Sequence, residues 1–289
     1  MSAAFAIDST VVTGFGAIRD AGDPAPFLRV RKLRKFMGRQ DDLAVVAAGR
    51  ALASAGLAAP LGERCGLFLT VGYIPFEAAD ITRLLEASLD ADRFSMTAFA
   101  ANAFGAINPL LTFRVLPNMP AFHVSLNFDL QGPYSVSYPG IGQFYGVLEE
   151  AWAGLAAGAI DVALVGGVAD QRNFLVEHHF SRLRPPVPAA RLATAAAFMT
   201  IERAADARQR GAAVRARLAG YGLTYAPADP FTEVAPHECV SHGGACQPDL
   251  QHAGPASLAL ALAESPCGEV RHQARTRDGF TAESAWLIA

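Results

Sequence analysis

The segment between Gly132 and Gly167 constrains the fold more than any other part of the chain. A Gly-Pro pair opens a short run of strand-forming residues, a turn with two glycines follows at 139–142, and an alanine-rich helix is predicted over about Gly142–Gly158. The apolar strand Asp161–Val165 comes next and is closed by the turn-forming pair Gly166-Gly167. Strands and helices alternate along the remainder of the chain, which predicts an α/β fold with at least one largely parallel sheet covered on both faces.

The turn before this helix is a place where many α/β enzymes present a nucleophile. The first N–H groups of a helix have no partner within the helix, and they create a positive potential that stabilises negative charge. Here the turn carries Ile141, whose side chain has no lone pair, and Gln143 two residues later. The sequence therefore predicts the framework of a catalytic turn without a nucleophile.

The composition predicts a protein with much buried surface. Only 18% of the 289 residues are charged, whereas 52% are hydrophobic, so we expect the buried surface to include a subunit interface. The formal charge of −3 argues against non-specific binding to nucleic acids, which requires clustered lysine and arginine. No apolar run reaches about 18 residues and the N-terminus lacks a signal pattern, so we expect no membrane span and a cytoplasmic location.

Other segments predict further elements. A first strand, Ser9–Thr13, ends at a Gly-x-Gly sequence that lacks the third glycine and the helix of a nucleotide-binding loop, and we interpret it as a turn. Residues 74–108 are predicted to be helical or irregular, and His123 is predicted to be buried on a strand rather than catalytic. The remaining predicted elements are the helix Asp41–Gly56, the strands Cys65–Val71, Ala121–Asn127 and Ala193–Glu202, the helix Arg203–Gly211, the strand Val214–Tyr221, the helix Pro255–Glu264, and the hairpin strands Glu269–Thr276 and Thr281–Ala289.

A basic run precedes the helix at Asp41. Two interpretations are open: a solvated or subunit-facing surface, or a site for the phosphate of a carrier-protein arm. The run comprises Arg29, Arg31, Lys32, Arg34, Lys35 and Arg39.

The four cysteines are too sparse for a disulfide framework. Two of them belong to a His-x-Cys-x2-His-x3-Cys cluster formed by His237, Cys239, His242 and Cys246. Two cysteines and two histidines can satisfy tetrahedral zinc, but this tight spacing matches no common zinc module. A shortened loop without metal is the favoured interpretation.

In their order and their residue motifs, these segments resemble the β-ketoacyl synthase branch of the thiolase fold. The resemblance covers nearly the whole chain and is strongest up to about Gly222. It implies a layered αβαβα fold in one ketosynthase-like domain, 1–289, with an N-terminal half at 1–212 and a truncated C-terminal half at 213–289. The segments that carry it are Val11–Ile18, Phe36–Arg39 with Ala53–Leu57, Asn118–Pro120 before Gly132-Pro133, Ala157–Gly167, and Ile201–Ala204 with Ala207–Ala212.

The resemblance also implies where the chemistry of the family would lie. The family's cysteine nucleophile stands at a helix N-terminus eight residues after the Gly-Pro pair, and counting from Pro133 gives Ile141. An isoleucine cannot attack a thioester or carry an acyl group. The segment of the first active-site histidine is missing, because the chain is shortened between residues 225 and 248, and Asp249 aligns with the second histidine, with His252 close by. The resemblance thus implies no catalytic residues and no condensing activity.

Relatives without the cysteine include the chain-length factors of type II polyketide synthases, which pair with an active synthase and shape its product tunnel. Chain-length factors often carry glutamine at the cysteine position, whereas Gln143 lies two residues later here. The shortened chain most resembles the chain-length-factor-like proteins of aryl polyene pathways. This implies a non-catalytic heterodimer partner of an active β-ketoacyl synthase, with indirect contact to the acyl carrier protein and no cofactor.

One alternative remains at this stage, a malonyl-carrier-protein decarboxylase of the same fold, in which Gln143 donates a hydrogen bond to the substrate carbonyl. For the heterodimer, we expect the pairing edge at Phe122–Phe128, because an unpaired apolar edge strand needs a partner. The residues expected at the acyl tunnel or the interface are Phe99, Phe104, Phe113, Phe122, Val124, Leu126, Phe128 and Gln143, with Phe94 nearby.

Overall fold

The computed structural model of the protein describes residues 9–227, 237–242, 247–248 and 253–289. Helices and strands are mixed along the chain, and they alternate strictly only in parts of it. In chain order they are β1 (Thr10–Arg19), α1 (Arg39–Ser54), β2 (Cys65–Val71), α2 (Ala78–Glu86), β3 (Leu89–Asp90), β4 (Arg93–Phe94), α3 (Met96–Ala98), α4 (Phe104–Ala106), α5 (Leu111–Val115), α6 (Met119–Phe128), β5 (Tyr134–Ser137), α7 (Ile141–Ala156), β6 (Val162–Ala169), α8 (Phe174–Ser181), β7 (Ala195–Arg203), α9 (Ala204–Gln209), β8 (Ala216–Tyr225), β9 (His237–His242), β10 (Gln247–Pro248), α10 (Ser257–Glu264), β11 (Gly268–Arg275) and β12 (Phe280–Ile288).

Ten of the described strands form one sheet in the order β10-β9-β11-β12-β8-β1-β7-β6-β2-β5, and β3 and β4 form a separate two-stranded hairpin. Two groups of five strands meet in the middle of the large sheet, where a single residue pair, Val12 and Ala216, joins β1 to β8. Among the described strands only β2 pairs in parallel, with β5 on one side and β6 on the other. The prediction of a largely parallel sheet was wrong, because β7 and the C-terminal strands all run antiparallel to their neighbours.

Alternating side chains of the central strands fill two separate cores. On β6, Leu164 and Val168 pack with α1 and α6, whereas Ala163 and Val165 point the other way, toward α7 and α10. The C-terminal strands cover the other side of the core around α7 and α10, and they contribute Trp286 to it. The described residues thus stack in four layers: helices α1 and α6; strands β1, β7, β6, β2 and β5; helices α7 and α10; and strands β8, β12, β11, β9 and β10.

On the outer face of the C-terminal strands, most of the exposed side chains among the described residues are polar or charged. Arg271 and Gln273 on β11 are exposed there, while His272 and Ala274 between them are buried. This alternation is typical of a sheet with one face on the core and the other open. The described layers fit the expected α/β class, and the shortening falls on the outer helical layer, which the described residues do not form.

Glycines that the sequence suggested as turns lie inside strands. Gly14 and Gly16 belong to β1, and a Cβ on either would overlap backbone atoms of α1. Gly166 and Gly167 belong to β6, and a Cβ on Gly167 would overlap the Pro255 carbonyl. The turn interpretations were wrong, because these glycines permit close approach of a helix or a neighbouring segment instead of a change in chain direction.

The predicted strand Ala121–Asn127, with its pairing edge Phe122–Phe128, is helix α6. Pro120 lies in its first turn, where a missing N–H costs nothing, and Asp129 ends it in the left-handed conformation with φ 54°. Ala121, Val124 and Phe128 share the helical spacing and pack in the core with α1. The strand prediction was wrong because Phe122, Val124, Leu126 and Phe128 also fit an alternating pattern. The sheet edge is β5 instead, which pairs only with β2 among the described strands.

Residues 76–108 form an arm of short helices and one hairpin. The arm consists of α2, β3–β4, α3, a π-helical turn at Phe99–Ala103, and α4. Its elements pack mainly on one another. Several large apolar side chains of the arm are exposed, namely Leu85, Leu89, Phe94, Met96 and Phe104, the last at 72%. Exposed large apolar side chains grouped on one segment are typical of surfaces that contact another protein.

Candidate functional site

A cavity of about 450 Å³ lies at the N-terminus of α7. Apolar and aromatic side chains form part of its wall, and amides, histidines and charged groups form the rest. The lining residues are Tyr73, Pro139, Gly140, Ile141, Gln143, Gln171, His179, Phe180, Leu183, His237, Glu238, Gly254, Arg275, Thr276, Arg277 and Asp278. The site therefore combines the turn that the sequence singled out with the turn between β11 and β12, which is far away in sequence.

The start of α7 is held by Gln143. The Gly140 N–H donates to Gln143 Oε1 over 3.1 Å, and Gln143 Nε2 donates to Asp278 Oδ2. Gly142 allows the β11–β12 turn to approach, because a Cβ there would lie 2.6 Å from the Phe280 ring. The amide of Gln143 is consequently engaged at both ends and braces the helix against the hairpin.

Ile141 is the first residue of α7 and lines the cavity, with 5% of its surface exposed. Among the described residues that line the cavity there is no cysteine. The buried thiol of Cys65 lies on β2, and burial raises its pKa to about 12, so it is protonated and unreactive at neutral pH. At the N-terminus of α7, the side chain that lines the cavity is therefore the hydrocarbon side chain of Ile141.

Two histidines reach the cavity, and sequence comparison did not place either of them there. His179 on α8 lies with its ring 4.7 Å from the ring of Tyr73, and burial, followed by the nearby Arg277, lowers its pKa. His237 begins β9 opposite Arg275. His179 was overlooked because its helix has no sequence signature of a site, and only the fold brings it to α7.

A buried chain of polar groups connects the cavity wall with the core. Glu238 lines the cavity, and its Oε1 lies 2.9 Å from His272 Nε2. The Nδ1 of His272 is 2.9 Å from the Tyr145 hydroxyl. The Tyr145 hydroxyl is also 2.8 Å from Ser284 Oγ, which accepts a hydrogen bond from Trp286 Nε1. With Nε2–H donating to the carboxylate, His272 Nδ1 accepts from Tyr145, and every member of the chain has a partner.

Of the predicted tunnel and interface residues, Gln143 alone lines this cavity. Phe104, Phe113 and Phe122 are exposed elsewhere, and Phe99 lies between Phe94 and Phe104. Val124, Leu126 and Phe128 lie on α6, where Val124 and Phe128 are buried. His123 is buried on the same helix, and burial lowers its pKa to about 4.

The suggested zinc cluster is only partly within the described residues. His237 and His242 lie at opposite ends of β9, and the Cys239 sulfur is in a disulfide, so it offers no thiolate to a metal. Cys246, Asp249 and His252 lie outside the described residues. Within the described ranges, no group of three or more histidine, cysteine, aspartate or glutamate side chains is arranged to hold a metal ion.

The described helices include none that is both long and apolar enough to cross a bilayer.

The five-plus-five strand arrangement and the cavity at the α7 N-terminus define a thiolase-like protein of the ketosynthase type. The family model of the β-ketoacyl synthase N-terminal domain matches residues 6–189. The chain therefore belongs to the β-ketoacyl synthase family, as its sequence motifs imply. Among curated proteins, no sequence matches the chain.

Solved structures show the same fold. A chain of "AntDE:AntF (apo): type II PKS acyl-carrier protein in complex with its ketosynthase bound to the hexaketide" is 14% identical with a TM-score of 0.71, and the match covers 97% of this chain and 99% of that one. The ishigamide ketosynthase/chain length factor is 24% identical with a TM-score of 0.57, covering 77% and 65%. A β-ketoacyl synthase from Burkholderia phymatum STM815 is 20% identical with a TM-score of 0.57, covering 77% and 66%.

Proposed function

We propose that this protein is a non-catalytic, chain-length-factor-like subunit that pairs with an active β-ketoacyl synthase in type II polyketide biosynthesis of the aryl polyene kind. It stabilises the synthase and closes the far end of its acyl tunnel. The growing chain is carried by the synthase and the acyl carrier protein, never by this subunit.

The observation that carries this proposal is the position of Ile141. The residue stands first in α7, directly after Gly140, where free backbone N–H groups would assist a nucleophile. Acyl transfer needs a lone pair that attacks the thioester carbonyl, and an isoleucine side chain has none. The cavity persists around Ile141, so the framework of the site is kept while covalent chemistry is lost.

The exposed surface of the protein supports the proposal that it binds a partner subunit. Edge strand β5 has no neighbour on its outer side among the described residues, and Tyr134 on it is 72% exposed. The apolar arm at residues 76–108 presents further aromatic side chains to solvent. An open strand edge and exposed aromatic side chains are both unfavourable in an isolated chain and are covered in a stable complex.

The structural match gives further support. The match to a chain from the AntDE:AntF structure, of a type II PKS acyl-carrier protein in complex with its ketosynthase, covers 97% of this chain and 99% of that chain. The ishigamide ketosynthase/chain length factor offers a second precedent for pairing.

Co-expression with an active β-ketoacyl synthase of the same organism tests the proposal. We expect a stable one-to-one complex on size-exclusion chromatography with light scattering, and elongation activity that requires both chains. A matched control replaces the synthase cysteine by alanine, which should abolish elongation without disturbing the complex. If the protein never co-elutes with the synthase and the synthase is fully active alone, the proposal is wrong.

The decarboxylase alternative is favoured by one observation, the two histidines in the cavity. Decarboxylation of a malonyl thioester breaks the bond to the carboxylate, releases CO₂, and moves the electron pair into an enolate, which is then protonated at carbon. His179 and His237 could donate hydrogen bonds to the enolate oxygen without any nucleophile. Gln143, suggested for this role by the sequence, has its amide engaged by Asp278 and Gly140.

The two functions are separated by incubating the purified protein alone with malonyl-carrier protein. We expect no acetyl-carrier protein by intact-mass analysis. Acetyl-carrier formation that is lost in both His179→Ala and His237→Ala would establish the decarboxylase instead.

A further inference from the structure

The cavity at the N-terminus of α7 contains two cationic side chains that the proposed function does not use. Arg275 is the last residue of β11 and Arg277 follows it in the turn, and both line the cavity. Both side chains are also open to solvent, and neither forms an ion pair with another residue in the described ranges. Their charge is therefore available to a bound anion.

The acidic side chains of the cavity wall have other contacts. Asp278 Oδ2 accepts a hydrogen bond from Gln143 Nε2, and Glu238 Oε1 lies 2.9 Å from His272 Nε2. Because the first carboxylate is held by α7 and the second by the buried core, neither is engaged by the arginines that share the wall with them.

Arg277 lies close to the aromatic part of the wall. Burial, followed by the positive charge of Arg277, lowers the pKa of His179 below its ordinary value of 6.5, so this imidazole is mainly neutral at pH 7. A neutral imidazole can donate one hydrogen bond. His179 can therefore assist in binding an anion that Arg277 holds.

The remainder of the wall includes large apolar side chains. Ile141, Phe180 and Leu183 line the cavity together with Tyr73, whose ring centroid lies 6.0 Å from that of Phe180. Phe180 and Leu183 belong to a small buried cluster, so their positions are fixed by packing. The cavity volume of about 450 Å³ lies within the range of about 300–1,000 Å³ that is usual for small-molecule sites.

We propose that this cavity binds a free carboxylic acid with an apolar tail, either an aryl acid or a medium-chain aliphatic acid, without forming a covalent bond. Arg275 and Arg277 hold the carboxylate, because a guanidinium group presents parallel N–H donors that match two carboxylate oxygens. The tail lies against Ile141, Phe180 and Leu183. This site is contained in one chain and does not depend on pairing with a synthase.

A carboxylic acid fits this wall better than inorganic phosphate or a neutral hydrocarbon. Phosphate has no apolar part to cover Ile141, Phe180 and Leu183. A hydrocarbon would cover the guanidinium groups without supplying a counter-charge, which is unfavourable. Only a ligand with both parts satisfies the whole wall.

The first test is calorimetric titration of the full-length protein with cinnamate and with octanoate at constant ionic strength. The matched probes are cinnamamide and octanamide, which keep the tail and lose the charge, and inorganic phosphate, which keeps a charge and has no tail. We expect one-to-one binding of at least one acid with a Kd below ~1 mM. Its amide should bind at least ~10-fold more weakly, because the charge-assisted hydrogen bonds are lost.

Two double variants with the same change in net charge locate the carboxylate. The cavity variant carries Arg275→Gln and Arg277→Gln, and the control variant carries Arg215→Gln and Arg217→Gln, which are exposed and do not line the cavity. Thermal melting first establishes that both are folded. We expect the cavity variant to bind the acid at least ~10-fold more weakly and the control to stay within ~2-fold of wild type.

The Ile141→Cys variant locates the tail. With the acid at about ten times the Kd of this variant, alkylation of the introduced thiol by iodoacetamide should slow by at least ~5-fold, measured by mass spectrometry of its peptide. The same concentration of the amide should have less than ~2-fold effect.

Four results would overturn the inference. They are no binding of either acid, equal binding of acid and amide, equal affinity in the cavity and control variants, and unchanged alkylation in the Ile141→Cys variant at saturating acid. Phosphate binding that the cavity variant loses, without binding of the acids, would assign the arginines to phosphate instead. None of these results changes the expected complex with a synthase, which has its own test.

Discussion

The Tyr145 hydroxyl lies 2.9 Å from His272 Nδ1, which joins the central helix α7 to strand β11 by a buried hydrogen bond. Both side chains are fully buried, and His272 continues the contact to Glu238 in the cavity wall. The position of the cavity relative to α7 therefore depends on this chain of polar groups as well as on apolar packing.

Replacing Tyr145 by phenylalanine should destabilise the protein by about 1–3 kcal/mol, because His272 and Ser284 both lose a buried partner while the ring volume is kept. The measurement is the free energy of unfolding from urea titration. The matched control is Tyr225→Phe, since Tyr225 is 59% exposed, and a change below about 0.5 kcal/mol is expected there. Equal effects at the two positions would mean that the buried chain contributes nothing.

Two glycines of α7 give opposite predictions. Gly146→Ala should stabilise the protein by about 0.5–1 kcal/mol, because a Cβ there meets no atom within 4 Å and alanine favours a helix. Gly142→Ala should destabilise it by about 1–3 kcal/mol, because the Cβ meets the Phe280 ring at 2.6 Å. Thermal and urea unfolding of both variants check this, and a stabilised Gly142→Ala would show that the β11–β12 turn does not pack on α7 as described.

His123 should make stability depend on pH in a defined direction. Burial lowers its pKa from 6.5 to about 4, so between these values the unfolded chain binds more protons than the folded one. Its contribution is complete above pH 6.5 and is lost as the pH falls toward 4. Burial raises the pKa of Asp42 to about 6, which acts in the opposite direction, so wild type must be compared with a variant.

The His123→Gln variant should lack the decrease in unfolding free energy that His123 causes as the pH falls from 6.5 to 4. The check is the difference in unfolding free energy between wild type and variant, measured at pH 7 and again at pH 4.5. His178→Gln, at an exposed position on α8, is the control. A wild-type minus variant difference that does not change with pH would contradict this assignment.

Substitutions in the exposed arm should weaken binding to the synthase without changing the stability of the fold. Phe104→Ser should leave the free energy of unfolding within about 0.5 kcal/mol, because the side chain is 72% exposed, but should weaken binding to the synthase at least ~10-fold. Leu287→Ser, 49% exposed on the C-terminal strands, should change neither quantity. Unchanged affinity in Phe104→Ser would remove Phe104 from the pairing surface.

Most strands and helices could be predicted from local patterns. The continuously apolar Cys65–Val71 is the fully buried strand β2, and the Asp-Gly pair at 278–279 makes the β11–β12 turn with Gly279 at φ 101°. These succeeded because burial on both faces and a required positive φ each restrict the residue types strongly.

Other features depend on contacts that are distant in sequence. Ala121–Asn127 satisfies both the helical and the strand pattern, and only its packing on α1 decides for the helix. Gly166 and Gly167 look like a turn until Phe198 and Pro255 are seen to occupy the space beside them. The local sequence does not indicate which distant residues pack against these positions, so these contacts could not be predicted from it.

The candidate site was predictable only where it is continuous in sequence. Ile141 and Gln143 follow from the turn before α7. His179 comes from α8, and His237 and Glu238 come from β9, so two other parts of the fold supply them. The shortened C-terminal half also changes the spacing by which family motifs are recognised. The cavity wall could therefore not be assembled from the sequence.

The most direct test of the central claim is the intact mass of each chain after the complex with the synthase is incubated with acyl-carrier protein. We predict an acyl adduct on the synthase cysteine and no adduct on this protein, with an Ile141→Cys variant as the control that the site is accessible. A stoichiometric, hydroxylamine-labile acyl group on the wild-type protein would contradict the account.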